Sequence, residues 1–278
     1  MQRIDAHVHL WDPARGDYGW LTPDVPKLYR RFGHTDVKPL LDAGNVQGVV
    51  LIQAAPSVAE TQYLLAIADS VPWILGVVGW VDFDAADAID TISKLARNPK
   101  LVGIRPMLQD IADPNWILHP RRTLVLEAIQ RQQLVFDALV RTVHLDAIAQ
   151  LAASHPQLNI VVDHAAKPSI GSRRDTSWVT GMQRISQYPN VACKLSGLLT
   201  ELVPGTATER IDGFATLLLS TFAPHRVIWG SDWPVLTTAG TYAEWLGLSQ
   251  RCLSRLEPDD FHSVMAGNAI RTYRLKVH

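Results

Sequence analysis

Short apolar runs alternate along the whole chain with longer segments of helical hydrophobic periodicity. The runs are rich in β-branched residues and are continuously apolar, which is typical of strands buried on both faces of a parallel sheet. We predict eight strands from these runs, at residues 4–9, 48–54, 74–81, 101–106, 134–140, 159–163, 191–195 and 227–230.

The segments between the runs have the periodicity of amphipathic helices, and Ser57-x-x-Glu60 has the spacing of a capping box. We predict helices at residues 35–43, 57–68, 85–96, 121–131, 145–153, 178–186, 208–221 and 242–253. Eight strand–helix repeats favour a (β/α)₈ TIM barrel, with residues 258–273 as a short C-terminal helical extension. A doubly wound open sheet is the alternative, but no strand is followed by a Gly-x-Gly-x-x-Gly turn.

Composition narrows the class of protein. The 278 residues are 47% hydrophobic and 19% charged, and no linker divides them, so we expect one barrel domain over residues 1–278. A net charge of −1 gives no reason to expect a nucleic-acid or membrane partner. The chain has only two cysteines, and it shows neither a basic and apolar leader segment nor a long apolar stretch. These features favour a cytoplasmic protein.

Polar residues follow nearly every apolar run, at the end where a barrel has its active site. His7 and His9 are two positions apart on the first strand, so their imidazoles share a face and form a candidate metal or proton-transfer pair. Lys194 is expected to form an ion pair inside the barrel with Asp137 or Asp163. The other polar residues at strand ends include Gln53, Trp80, Arg105, Arg141, His164, Lys167, Asp232 and Trp233.

Three of these segments together resemble the amidohydrolase superfamily. They are the His7-x-His9 pair, His164 in Asp-His-Ala-Ala-Lys-Pro, and Asp232 in Gly-Ser-Asp-Trp-Pro. The opening Asp-Ala-His-Val-His-Leu-Trp-Asp and the Gly-Ile-Arg105 strand resemble the sugar lactonases of the amidohydrolase-2 branch. The resemblance covers essentially the whole chain and implies hydrolysis of a sugar-derived aldonolactone, such as L-fuconolactone, in carbohydrate catabolism.

The sequence departs from the superfamily members that hold two metals. Arg105 ends the fourth strand and cannot bind a metal, and the fifth strand carries no histidine, so a binuclear site is not expected. His7, His9, His164 and Asp232 would suit one divalent ion, zinc or manganese. The resemblance also reaches lactonases that work without metal, so the requirement for one stays open.

Lactone hydrolysis needs a base for the attacking water and stabilisation of charge on the carbonyl oxygen. We expect Asp232 to be the base, Arg105 to contact the carbonyl or ring oxygen, and His164 to share that role or orient the substrate. Tryptophan rings could stack on a sugar ring and polar groups could bind its hydroxyls. The predicted substrate-binding residues are Trp11, Gln53, Trp80, Arg141 and Trp233.

Two other functions stay open. Paired arginines at 30–31, 121–122 and 173–174 would suit an anionic substrate, as in hydrolysis of a carboxylated pyrone lactone or metal-dependent decarboxylation. A barrel that binds a sugar acid without catalysis is the third reading, because fold alone does not define function. Copies of the chain could also pair through exposed helices as a homo-oligomer.

Overall fold

Eight parallel strands form the centre of the computed structural model, which describes residues 2–171 and 175–277. Each strand pairs in parallel with the next one along the chain, from β1 to β8. The strands are β1 Ile4–Val8, β2 Gly48–Ile52, β3 Ile74–Gly79, β4 Leu101–Ile104, β5 Val135–Ala138, β6 Ile160–Val162, β7 Val191–Leu195 and β8 Val227–Trp229.

The sheet closes on itself at the carboxyl ends of β1 and β8. The backbone amide of His9 donates to the Trp233 carbonyl at 2.7 Å, and the amide of Asp232 donates to the His7 carbonyl at 2.9 Å. The predicted (β/α)₈ barrel is therefore confirmed. Several strands are shorter than predicted, because their last residues leave the ladder to form the loops that carry the polar groups.

Helices surround the barrel and bury their apolar stripes against it. Most begin within three residues of the predicted start; for example, α2 begins one residue after Ser57, whose hydroxyl accepts from the Glu60 amide at 3.0 Å. The helices are α1 His34–Ala43, α2 Val58–Ser70, α3 Ala88–Leu95, α4 Thr123–Arg131, α5 Leu145–Ser154, α6 Thr176–Ile185, α7 Arg210–Phe222, α8 Tyr242–Leu253, α9 Pro258–His262 and α10 Asn268–Tyr273.

The C-terminal extension packs against the barrel interior from the end opposite the polar loops. A π-helical turn at Ser263–Gly267 joins α9 to α10, and Tyr273 lies in one cluster with the inner residues of the strands. The Tyr273 hydroxyl donates to both oxygens of Asp137 on β5, at 2.8 and 2.9 Å. Among the described residues, no helix combines the length and apolarity required to cross a bilayer.

Candidate active site

The end of β1 carries the predicted histidine pair. The pairing register with β2 shifts between Asp5 and Val8, and the two imidazoles then meet with their Nε2 atoms 3.2 Å apart. His9 Nδ1 lies 2.9 Å from the Ile52 carbonyl, which can only accept, so the proton of His9 is on Nδ1. The Nε2 lone pair of His9 therefore faces His7.

Asp232 lies opposite this pair, just after β8. Its φ of +65° places it in the left-handed region, where few non-glycine residues occur. Its Oδ1 atom is 3.3 Å from His9 Nε2, 3.7 Å from His7 Nε2 and 3.9 Å from His164 Nε2. Three imidazole nitrogens from β1 and from the loop after β6 thus converge on one carboxylate oxygen.

His164 reaches this point because the backbone after β6 adopts a left-handed conformation, which is unfavourable for L-residues. Residues 164–167 all have positive φ, between 49° and 59°, and such strain is often found at functional sites. The Trp178 indole donates to the Ala165 carbonyl at 2.6 Å and so holds this left-handed turn. His164 Nδ1 bonds to Ser196 Oγ at 2.9 Å.

Gly197 makes room for the His164 ring. Its φ is +65°, and a Cβ atom there would lie 2.5 Å from His164 Nδ1. A glycine is therefore needed at this position for both conformation and space.

A fully buried network of charges lies below the histidines. Lys194 Nζ contacts Asp137 Oδ2 at 2.5 Å, Asp163 Oδ1 at 3.0 Å and His7 Nδ1 at 3.3 Å. The ion pair predicted for Lys194 inside the barrel is confirmed, and it involves both aspartates. Arg105 Nη1 is 3.2 Å from Asp163 Oδ2, so two cations balance two carboxylates.

Burial and these neighbours set the ionisation of the site. Burial, helped by the Lys194 charge, holds the pKa of His7 well below its usual range, and burial lowers the pKa of His164 to about 4. Burial alone would raise the pKa of Asp232, but the surrounding histidines, His164 foremost, hold it below its usual range. At neutral pH the site therefore presents neutral imidazoles at His7 and His164 and an ionised carboxylate at Asp232.

The donor set and its spacing fit one divalent cation. Two imidazole nitrogens bound to the same tetrahedral zinc lie about 3.3 Å apart, close to the 3.2 Å between His7 Nε2 and His9 Nε2. His7, His9 and Asp232 offer ligand atoms within 4.8 Å of one another. Asp163 Oδ1 is buried, contacts Lys194 Nζ at 3.0 Å and lies 3.5 Å from His7 Nδ1, so it could accept the Nδ1 proton of a metal-bound His7.

A cavity of about 260 Å³ opens above these groups. Of the predicted residues, His9, Trp11, Arg105, His164 and Asp232 line it. His7 lies directly beneath, fully buried. The wall also contains Lys167, which the sequence placed at a strand end without a role, and residues that we did not predict, namely Trp20, Ala54, Met107, Gln109, Asp110, Leu139 and Val235.

Four predicted substrate-binding residues do not line this cavity. Gln53 is fully buried beside Arg105: its Oε1 accepts from Arg105 Nη2 at 2.9 Å, and its Nε2 donates to the Arg105 carbonyl at 3.1 Å. The backbone of Trp80 bonds to Thr61 of α2, and Trp233 packs on Phe32 with ring centroids 5.3 Å apart. Arg141 is exposed at the start of a turn.

The arginine pairs are also outside the cavity wall. Arg30 stacks on Phe32 with its guanidinium carbon 3.7 Å from the ring centroid, and Arg31 approaches Asp12 at 3.9 Å. Arg122 pairs with Asp84 at 2.7 Å, and Arg121 is exposed. The pair at 173–174 falls outside the described residues. The described arginine pairs thus provide no anion site in the cavity.

Residues 4–275 match the sequence model of the amidohydrolase family. The chain belongs to the amidohydrolase family. It is 43% identical over 277 residues to an L-fucono-1,5-lactonase of Burkholderia ambifaria, covering 98% of this chain and 96% of that protein. It is 32% identical over 292 residues to an L-fucono-1,5-lactonase of Burkholderia multivorans, with the same two shares covered.

The fold of this amidohydrolase also matches a solved structure closely. A crystal structure of a Burkholderia multivorans amidohydrolase with bound zinc superimposes with a TM-score of 0.93 at 31% identity. The match covers 99% of this chain and 100% of that one. The family predicted from the strand-end motifs is confirmed.

Proposed function

We propose that this amidohydrolase hydrolyses a sugar-derived aldonolactone, of the L-fucono-1,5-lactone type, to the aldonic acid in carbohydrate catabolism. The observation that carries the proposal is the meeting of three imidazole Nε2 atoms and the Asp232 carboxylate at the floor of a cavity walled by tryptophan. The full-length curated relatives are named for this reaction, which supports the predicted lactone hydrolysis.

Asp232 takes a proton from the attacking water, because it is ionised at neutral pH and lies at the cavity floor. Arg105 stabilises negative charge on the carbonyl oxygen; its guanidinium is fixed by Asp163 and Gln53, and it lines the cavity. His164 is neutral and is oriented by Ser196, so it can hydrogen-bond the substrate. Asp232 then returns its proton to the leaving ring oxygen.

One divalent metal, zinc or manganese, would be held by His7, His9 and Asp232, with His164 beside them. When bound, such an ion polarises the carbonyl and lowers the pKa of water. A lactone is an activated ester, so the protein groups alone supply the base and the charge stabilisation that the reaction needs.

Trp20 provides apolar surface for a sugar ring, and the fully buried Trp11 packs behind it. Their rings are nearly perpendicular, with centroids 5.2 Å apart, and both line the cavity. Carbohydrate C–H faces pack against such aromatic walls while hydroxyls turn to polar groups. The aromatic lining therefore suits a neutral polyol lactone, and the wall also holds two cationic side chains, Arg105 and Lys167, that can contact its oxygen atoms.

A pH-indicator assay tests the proposal. The purified protein is offered a panel of aldonolactones, including L-fucono-1,5-lactone, before and after treatment with a chelator. We expect rapid acid release with at least one sugar lactone, and none from Asp232→Asn. Turnover of a carboxylated pyrone but of no aldonolactone would replace this function with the alternative; binding of sugar acids without any turnover would indicate a non-catalytic protein.

The location and assembly of the protein stay predictions. We propose a cytoplasmic enzyme with a small-molecule substrate, built as one barrel domain over residues 1–278, and with copies that pair through their helices. Size-exclusion chromatography with light scattering measures the assembly directly.

A further inference from the structure

Lys194 contacts a candidate metal ligand from below, and the chemistry of an ammonium group restricts what that contact can be. Lys194 Nζ lies 3.3 Å from His7 Nδ1, and both side chains are fully buried. An ammonium group has donors and no acceptor. When the two atoms are hydrogen-bonded, His7 Nδ1 must therefore accept, and the single proton of the neutral ring is on Nε2.

This assignment completes a series of hydrogen bonds that needs no metal ion. His7 Nε2 then donates to His9 Nε2 at 3.2 Å, and His9 Nδ1 donates to the Ile52 carbonyl at 2.9 Å. Each donated proton in this series of hydrogen bonds points in the same direction, from Lys194 towards β2. In this state His7 cannot bind a metal, because its Nε2 lone pair is replaced by a proton.

The metal-binding state needs the other tautomer of His7. Its proton must move to Nδ1, and the acceptor there is Asp163 Oδ1 at 3.5 Å, an oxygen that Lys194 Nζ also contacts at 3.0 Å. Lys194 and Asp163 therefore compete for the same ring nitrogen, and each favours a different tautomer.

We propose that Lys194 is a positioning residue that sets the tautomer of His7 and thereby weakens metal binding at this site. Its donor stabilises the metal-free, hydrogen-bonded arrangement, whereas Asp163 favours the metal-bound one. The inference concerns the affinity of the site and does not require that the substrate be known.

The test removes the donor and keeps the buried charge balanced. Lys194→Met alone would leave Asp137 without its cation, which is strongly destabilising. The variant Lys194→Met/Asp137→Asn removes one charge of each sign, and the amide oxygen introduced on β5 can still accept from Tyr273. Asp137→Asn alone is the matched control, because it keeps the Lys194 donor.

Zinc affinity is measured on the metal-free proteins by competition with a chromophoric chelator. We expect the double variant to bind zinc about 10- to 100-fold more tightly than the wild type, the size typical of changes around metal ligands. The control should show no such gain. An unchanged zinc Kd in a folded double variant would overturn the proposal.

The tautomer itself is a second readout, obtained from long-range ¹H–¹⁵N correlations of the histidines in metal-free wild-type protein. We expect the His7 proton on Nε2, and a proton on Nδ1 would overturn the proposal even if the double variant did not fold. Neither readout uses a lactone, so failure here is separate from failure of the proposed function.

Discussion

The Tyr273 hydroxyl links the C-terminal helix α10 to the barrel interior. Tyr273→Phe removes this hydroxyl with little change in the shape of the side chain. The hydroxyl bonds to both oxygens of the buried Asp137 carboxylate, at 2.8 and 2.9 Å. A hydrogen bond to a charged group contributes about 1.5–3 kcal/mol, and Asp137 keeps Lys194 as a partner in the variant. We therefore expect the free energy of unfolding to fall by roughly 2 kcal/mol.

Urea unfolding followed by circular dichroism measures this change. The transition midpoint should move to lower urea while its slope stays constant, because the amount of surface exposed on unfolding is nearly the same. Tyr29→Phe is the matched control, since Tyr29 is 44% exposed. A loss below about 0.5 kcal/mol for Tyr273→Phe, the range of ordinary surface changes, would refute the idea that this contact stabilises the barrel.

Three further predictions test the site and its surroundings. Asp232→Asn should lower kcat for lactone hydrolysis by about 10²–10⁴-fold through loss of the base, whereas the exposed Asp113→Asn should not. Gly197→Ala should lower kcat/KM by about tenfold or more, because the new Cβ displaces His164. Gly205 also has a positive φ, +82°, but a Cβ there would meet open space, so Gly205→Ala should lower stability without lowering activity. Burial raises the pKa of Glu60 to about 7, so the folded state binds the proton more tightly than the unfolded state, and the unfolding free energy should fall as pH rises from 4.5 to about 8. In Glu60→Gln the unfolding free energy should fall over this pH range by on the order of 3 kcal/mol less than in the wild type. An equal fall in both proteins would contradict the raised pKa of Glu60.

The position of most catalytic candidates could be predicted because a parallel barrel brings the ends of its strands together. His7 on β1 and His9 just after its end are two positions apart, so the sequence predicted that they share a face, and Asp232 follows the last strand. Gln53 shows the limit of this reasoning. It also follows a strand, but its amide bonds to Arg105, so it supports a cavity residue and lies outside the wall.

The left-handed turn at residues 164–167 could not be predicted from its sequence. Ala165 and Ala166 favour right-handed helix, and their positive φ depends on contacts made elsewhere, such as the Trp178 indole on the Ala165 carbonyl. Trp20 was missed for a related reason. It lies in the irregular segment after β1, where no periodicity indicates which side chains turn inward.

The charge balance beneath the site would allow Asp232 to serve in both of its proposed roles, as base and as metal ligand. Lys194 and Arg105 neutralise Asp137 and Asp163, so the described part of the chain leaves Asp232 with only imidazoles within ion-pair distance. The imidazoles of His7 and His164 are neutral, so the Asp232 charge is available for a cation or for the proton of a water molecule. A metal bound here would contact both Asp232 and the histidines. Without the metal, Asp232 would still be placed to act as the proposed base. We therefore expect metal occupancy of this site to depend on the tautomer of His7 as well as on Asp232.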